Sequence, residues 1–293
     1  MAYDSSAVIA WATGCEVVRG PVDIVDPDGP KVRYGSASAA IGPASLSTQS
    51  AVSLGDGGYA VLTFDSPIRN NPGPDFAVFE NSFNDSFLEL AFVEVSTDGV
   101  RYVRFPAVSL TPVDNQIIST GFVDPTNINN LAGKYRVGYG TPFDLEELRD
   151  SLDINIDSIL YVRVVDVIGT VNPIYATHDA QGHIVNDPYP TNDTIWASGG
   201  FDLTGVAVLR VPSSVGVVEL SETVELAIFP NPAHQRVTLL ANTPTEATLT
   251  DMSGRCLITL HLSQGTNVLD LDGMPGGVYV VRTEGKSYKV VKR

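Results

Sequence analysis

Four carboxylates could do chemistry in this sequence. Asp75 and Glu80 bracket the apolar run of "DFAVFEN", Asp166 closes "ILYVRVVD", and Asp202 opens "DLTGVAVL". Side chains alternate along a strand, so Asp166 shares its face with Val162 and Val164. If those valines fill a core, Asp166 points there too. A buried carboxylate must be hydrogen-bonded, paired or bound to a metal. Hard oxygen ligands suit calcium, which takes six to eight of them at about 2.3–2.6 Å. Asp75, Glu80, Asp166 and Asp202 are therefore the candidate ligands of a structural Ca2+. The competing reading makes them loop caps and partners of Arg104 or Arg163.

Other constellations are thinner. "DIVDPDGP" (23–30) starts like a calcium loop but lacks its closing glutamate, and a Pro-Asp-Gly turn explains it. His178 and His183 in "HDAQGH" lie five apart, off a common helical face. Zinc there would need Asp179 or Asp187 as well. The stretch 169–198 is long and carries Tyr175, Tyr189 and Trp196. Long loops on rigid sandwiches tend to be functional, and aromatic rings stack on sugar faces or a corrin edge. These three residues are the expected ligand contacts, on a face shared with the 70–75 loop. The sequence has no Gly-x-Ser-x-Gly, His-Glu-x-x-His, phosphate loop or dinucleotide fingerprint. A triad or carboxylate pair assembled across loops stays open; Glu80 with Glu94 and Asp166 with Asp202 are the pairs to measure.

The elements that must position these residues read as strands. Short apolar runs separated by Gly, Pro and Asn-Asp clusters recur along the chain, the pattern of an all-β sandwich. "YAVLTF" (59–64) alternates with Ala60, Leu62 and Phe64 on one face. "ELAFVEVSTDGVRYVRF" (89–105) is a hairpin on Thr97-Asp98-Gly99. "ILYVRVVDV" (159–167) is apolar on both faces, as a central strand should be. In "GGFDLTGVAVLRV" (199–211) the parity changes around Gly205, which predicts a bulge. One helix is expected, over "TPFDLEELRDSL" (141–152), with Asp144 as cap and Glu147 completing a capping box.

Charge divides the chain. The total is 34 acidic and 18 basic residues. Seven of each lie in 222–293, leaving 27 acidic and 11 basic residues, or −16, for 1–221. So acidic a surface argues against nucleic acid as a partner. No apolar stretch approaches the ~20 residues that span a bilayer. "MAYDSSAVIAWATG" lacks the basic start and long apolar run of a signal peptide, so one is expected to be absent from this chain. Cys15 and Cys256 lie in different predicted domains, which argues against a disulfide framework.

The C-terminal motifs carry a resemblance. "FPNPAHQRVTL" (229–239), "DMSGRCL" (251–257) and "LDLDGMPGGVYVVR…KVVKR" (269–293) resemble the C-terminal sorting domain of type IX secretion cargo: a Pro-Asn-Pro opening, an Asp-x-x-Gly-Arg turn, a Gly-x-Tyr strand and a basic finish. The resemblance implies passage through the periplasm and across the outer membrane, with the secretion machinery as a partner and the sorting domain usually removed. Its basic last strand would be an address. "VEVSTDGVRYVRF", "YVRVVDV" and "GGFDLTGVAV" in that order are similar to the second half of galactose-binding-type jelly rolls, which often hold calcium. "LGDGGYAVLTFDSPIRNNPGPDFAVFENSF" (54–83) with "LAGKYRVGYGTPFDLEEL" (131–148) resembles a family of bacterial cell-surface proteins. That resemblance implies surface ligand capture beside outer-membrane cobalamin receptors.

The expected architecture is all-β: a jelly-roll-like β-sandwich ligand-binding domain over 1–213, a linker over 214–224, and a small Ig-like sorting domain over 225–293. The expected function is non-catalytic binding of a glycan or small molecule, by a secreted or surface-displayed protein. Corrinoid capture, or glycoside or ester hydrolysis, are the alternatives.

Overall fold

The computed structural model describes residues 1–191, 197–210, 226–252, 254–283 and 286–293. The chain divides into two compact units, Met1–Ser214 and Val215–Arg293. The expected linker and Trp196 lie outside the described residues. No α-helix occurs among the described residues, and none is therefore long and apolar enough to cross a membrane.

In the first unit thirteen strands run in the order β1 (Val8–Trp11), β2 (Gly14–Val18), β3 (Val52–Ser53), β4 (Tyr59–Ile68), β5 (Phe76–Glu80), β6 (Ala91–Ser96), β7 (Val103–Arg104), β8 (Val108–Ser109), β9 (Ile128–Asn129), β10 (Leu131–Ala132), β11 (Thr141–Phe143), β12 (Ile159–Asp166) and β13 (Asp202–Leu209). One sheet has the order β1-β13-β5-β11, with β3 also on β13; the other has β10-β6-β12-β4-β2, with β7 on β6. The two pack face to face. Phe76, Val78, Leu203 and Val206 of the first meet Leu62, Val93, Val162 and Val164 of the second in one core. Phe76 stacks on Phe143 with centroids 5.4 Å apart, and Phe105 meets both rings edge-on. Full burial of a phenylalanine of this kind contributes about 1.5–3 kcal/mol.

Both outer faces are also covered, which explains the doubly apolar strands. Phe92 and Val165 lie under the excursions at 105–132 and 167–185. Ala77, Phe79 and Ala207 lie under the N-terminal residues and Ala44. The register of β13 against β5 slips between Leu203 and Gly205, so the parity change is a bulge.

The helix expected over 141–152 does not form. Residues 141–143 are edge strand β11, paired with Val78, Ala77 and Phe76. Asp144 does cap the next turn, accepting from the Glu146 N–H at 3.0 Å, but only one 3-10 turn results, Leu145–Leu148. Leu145 and Leu148 complete the core with that single turn, and Leu152, fully exposed, has nothing to bury against. Glu147 reaches Asn130 rather than closing a capping box.

The second unit is an Ig-like sandwich of two sheets. One joins β14 (Leu226–Phe229), β15 (Arg236–Ala241) and β18 (Gly265–Asp270); the other has the order β17 (Cys256–Leu262), β16 (Thr245–Asp251), β19 (Gly277–Thr283), β20 (Lys286–Lys292). Leu239, Leu249, Leu271, Val281 and Val290 fill its core. Cys15 and Cys256 are both free thiols.

Candidate functional site

The buried carboxylates are placed by strand ends, and most are spent on backbone. Asp166 is buried where β12 stops, and its oxygens accept the N–H groups of Gly57 at 2.9 Å and Phe201 at 2.6 Å. Burial, then neighbouring Asp56, raises its pKa far above the carboxylate range. Asp75 accepts from Asn71 N–H and Leu145 N–H and fastens the other end of the sandwich. Burial pushes its pKa up to about 6 against those two bonds. Asp187 takes the Leu90 N–H at 2.8 Å. Asp179 takes the N–H groups of Ser109, Gln181 and His183, and touches the His183 ring at 3.1 Å. Among the described residues, no three acidic, histidine or cysteine side chains converge as metal ligands do.

The four candidate calcium ligands are therefore not brought together. Asp75 precedes five-residue β5 and Glu80 ends it, so they are roughly 16 Å apart along the strand at ~3.3 Å per residue. Glu94 faces away from the core, ion-paired with Arg104 at 2.7 Å and with Arg163, so it makes no pair with Glu80. The 70–75 loop and the described part of the 169–198 stretch, residues 169–191, are separated as well. The first comes after β4. The second comes after β12, whose Val165 lies beside Tyr59 at the start of β4. Two antiparallel neighbours send their C-terminal loops to opposite ends. Tyr189 is half-buried and donates its hydroxyl to Asp23 at 2.7 Å; Tyr175 is half-buried nearby. "DIVDPDGP" forms a turn in which Gly29 N–H reaches the Asp26 carbonyl.

One pocket does gather ionisable groups. It has a volume of about 500 Å3 and lies where β5 ends, β13 begins and the chain approaches β6. Asn81, Glu89, Asp202, Phe83, Phe87 and Tyr34 line it. Asp202 accepts from Ser53 Oγ and, at 3.0 Å, from the Asn81 amide, which also donates to the Thr48 carbonyl at 2.9 Å. Glu80 stands one residue behind Asn81 and turns inward, in step with Val78 and Phe76. Its Oε2 accepts the Ser82 N–H at 2.6 Å; its Oε1 is buried without a partner. Removal from water and then the charge of Asp202 raise the pKa of Glu80 well above the usual range. Glu89 keeps part of its surface exposed, yet burial of its carboxylate, then Asp202 and Glu80, raise it likewise. Asp202 is raised by burial, with Ser53, Asn81 and the Arg19 charge pulling the other way.

The sequence singles out Glu80 and Asp202, there as calcium ligands, but not Glu89 or the aromatic wall. The signal is present in "NSFNDSF" (81–87): two phenylalanines in a polar loop. Asn84 Oδ1 accepts the N–H groups of Ser86 and Phe87, and the turn stacks Phe83 on Phe87 at 4.9 Å. Phe83 stays 65% exposed, so core packing does not explain it. A larger cleft of about 770 Å3, lined by Trp11, Phe64 and Val208 among others, carries no buried ionisable group.

The second unit shows what its motifs hold together. Asn231, between Pro230 and Pro232, donates to the Lys289 carbonyl at 2.7 Å and accepts the Val291 N–H at 2.9 Å. Asp251 holds its turn by accepting from the backbone and side chain of Arg255 at 3.1 and 3.2 Å. Residues 227–293 match the family described as "Secretion system C-terminal sorting domain".

These residues are a type IX secretion sorting domain. A sorting domain of this family marks the protein as secreted or displayed at the cell surface. No curated protein matches the sequence. Solved structures similar to the chain include a biofilm-associated protein BSP domain (13% identity, 99% of this chain, 53% of that one, TM-score 0.20). The adhesin domain of Epf from Streptococcus pyogenes shows 11% identity over 80% of this chain and 72% of that one, with a TM-score of 0.19. A β-glucuronidase from Ruminococcus gnavus shows 9% identity over 99% and 47%, with a TM-score of 0.24. The chain thus spans about half the length of the first and the last of these.

Proposed function

We propose that this protein is carried through the periplasm by its sorting domain and presents a galactose-binding-like jelly roll that holds a carbohydrate or similar small polar molecule without transforming it. The observation that carries the reading is the pocket at Asn81, Glu89 and Asp202 beside the exposed Phe83–Phe87 stack. Sugars offer an apolar face of C–H groups and a rim of hydroxyls. Aromatic rings take the first, and carboxylates and amides take the second. Its volume lies within the range of small-molecule sites, about 300–1,000 Å3. Asp202 is already held by Ser53 and Asn81, which fixes an acceptor rather than freeing a base.

A glycan array probed with the full chain, followed by calorimetric titration of any hit, tests this. Binding that weakens at least tenfold in Phe83→Ala, with the melting temperature unchanged, is the expected result. An array without hits, or hits indifferent to Phe83, would overturn it.

A further inference from the structure

The pocket's electrostatics go further than its shape. Two carboxyl groups, Glu89 and Asp202, line the pocket, and Glu80 is buried behind Asn81. Arg19 is the cation that acts on Asp202. Its guanidinium is committed to the carbonyls of Tyr34 at 2.8 Å, Ser53 at 2.7 Å and Gly35 at 2.7 Å. Glu80 is 1% exposed, and its Oε1 has no partner among the described residues. Carboxylates held close together away from water repel one another, and a bound cation relieves that repulsion. The Phe83–Phe87 pair presents ring faces, which attract cations.

Resting on the ligand-binding reading above, we propose that the pocket selects a protonated primary amine borne on a hydroxylated, ring-sized body: an amino sugar with a free amine rather than a neutral or N-acylated one. The ammonium has donors for Glu89 and Asp202, and the ring has Phe83, Phe87 and Tyr34 to lie against. A bare divalent ion fits less well. It would give the aromatic wall nothing to do, and it needs six or more oxygens at close range, where no three ionisable ligands converge.

The test titrates the full chain at neutral pH with fully deacetylated chitotriose, its N-acetylated counterpart and calcium chloride. Expected are a preference of at least tenfold for the free amine and loss of that preference in Glu89→Gln at an unchanged melting temperature. Phe83→Ala should weaken both sugars together. Equal binding of the two sugars, or preference for the acetylated one, overturns the amine inference while the ligand-binding reading stands. Binding of neither defeats the amine inference, and an empty glycan array beside it defeats both. Calcium binding that is lost in Glu80→Gln and untouched by the amine sugar would show a metal site instead.

Discussion

Asn231 and Val291 are sixty residues apart and meet through one side-chain amide. Asn231 Oδ1 accepts the Val291 N–H at 2.9 Å while its Nδ2 donates to the Lys289 carbonyl at 2.7 Å. Ala233 then exchanges bonds with Val291 and Arg293. The free edge of β20 is thus closed by the Pro-Asn-Pro segment, and the basic end of the chain is shown in one fixed conformation.

Asn231→Ala hands both backbone groups of that strand over to water. The sorting domain should lose about 0.5–1.5 kcal/mol, the net worth of an ordinary hydrogen bond, since water reaches these exposed groups. Hydrogen exchange of the full chain should show lost protection at Val291 and Arg293, with β4 and β12 unaltered. Unchanged exchange at Val291 would refute the clamp.

Phe76→Ala removes the ring that joins Phe105 and Phe143. A cavity of this size costs about 3–5 kcal/mol. Urea unfolding followed by near-ultraviolet dichroism should show the first unit destabilised by that amount. A loss below about 1 kcal/mol, the size of a typical surface-to-moderate substitution, would mean that the triad is not the centre of the core.

Gly169 has φ +65°, and a Cβ there would sit 1.8 Å from Asp187 Oδ1. Gly169→Ala therefore meets both a left-handed backbone and a buried carboxylate bound to Leu90. The expected cost exceeds the ~1 kcal/mol of a simple Gly-to-Ala mismatch. Equal thermal stability of variant and parent would count against this geometry.

Asp56 sets a pH dependence. Burial raises its pKa to about 7, against the bond from Ile24 and with a further push from Asp23. The folded state therefore keeps a proton that the unfolded chain releases from about pH 4 upward. Stability should fall as pH rises from about 4 to 7 and level off above, for this group. Asp56→Asn keeps an acceptor for Ile24 and should remove about 1–3 kcal/mol of the difference between about pH 5 and 8. Denaturant midpoints across that range check it; a slope identical to the parent's would refute it.

Much of the fold is legible without coordinates. Alternation in 59–64 places Ala60 and Leu62 in the core, and the parity break at Gly205 marks a real bulge, because side-chain alternation is a local property of extended backbone. Asp166 is legible as buried for the same reason. The helix expected at 141–152 fails because capping signals say where a turn starts, while its length is set by what it packs against. Leu152 has no partner, and the turn ends.

An all-β chain, a change of character near residue 222 and the sorting motifs are written in the primary structure, since each depends on neighbours within a few positions. Which carboxylates meet is a property of the folded chain. Strand direction sends Asp75 and Glu80 to opposite ends of one sandwich, and sheet order carries Glu89, Asp202 and the Phe83–Phe87 pair to one end. Proximity of that kind depends on how distant strands pair, and no local pattern records it.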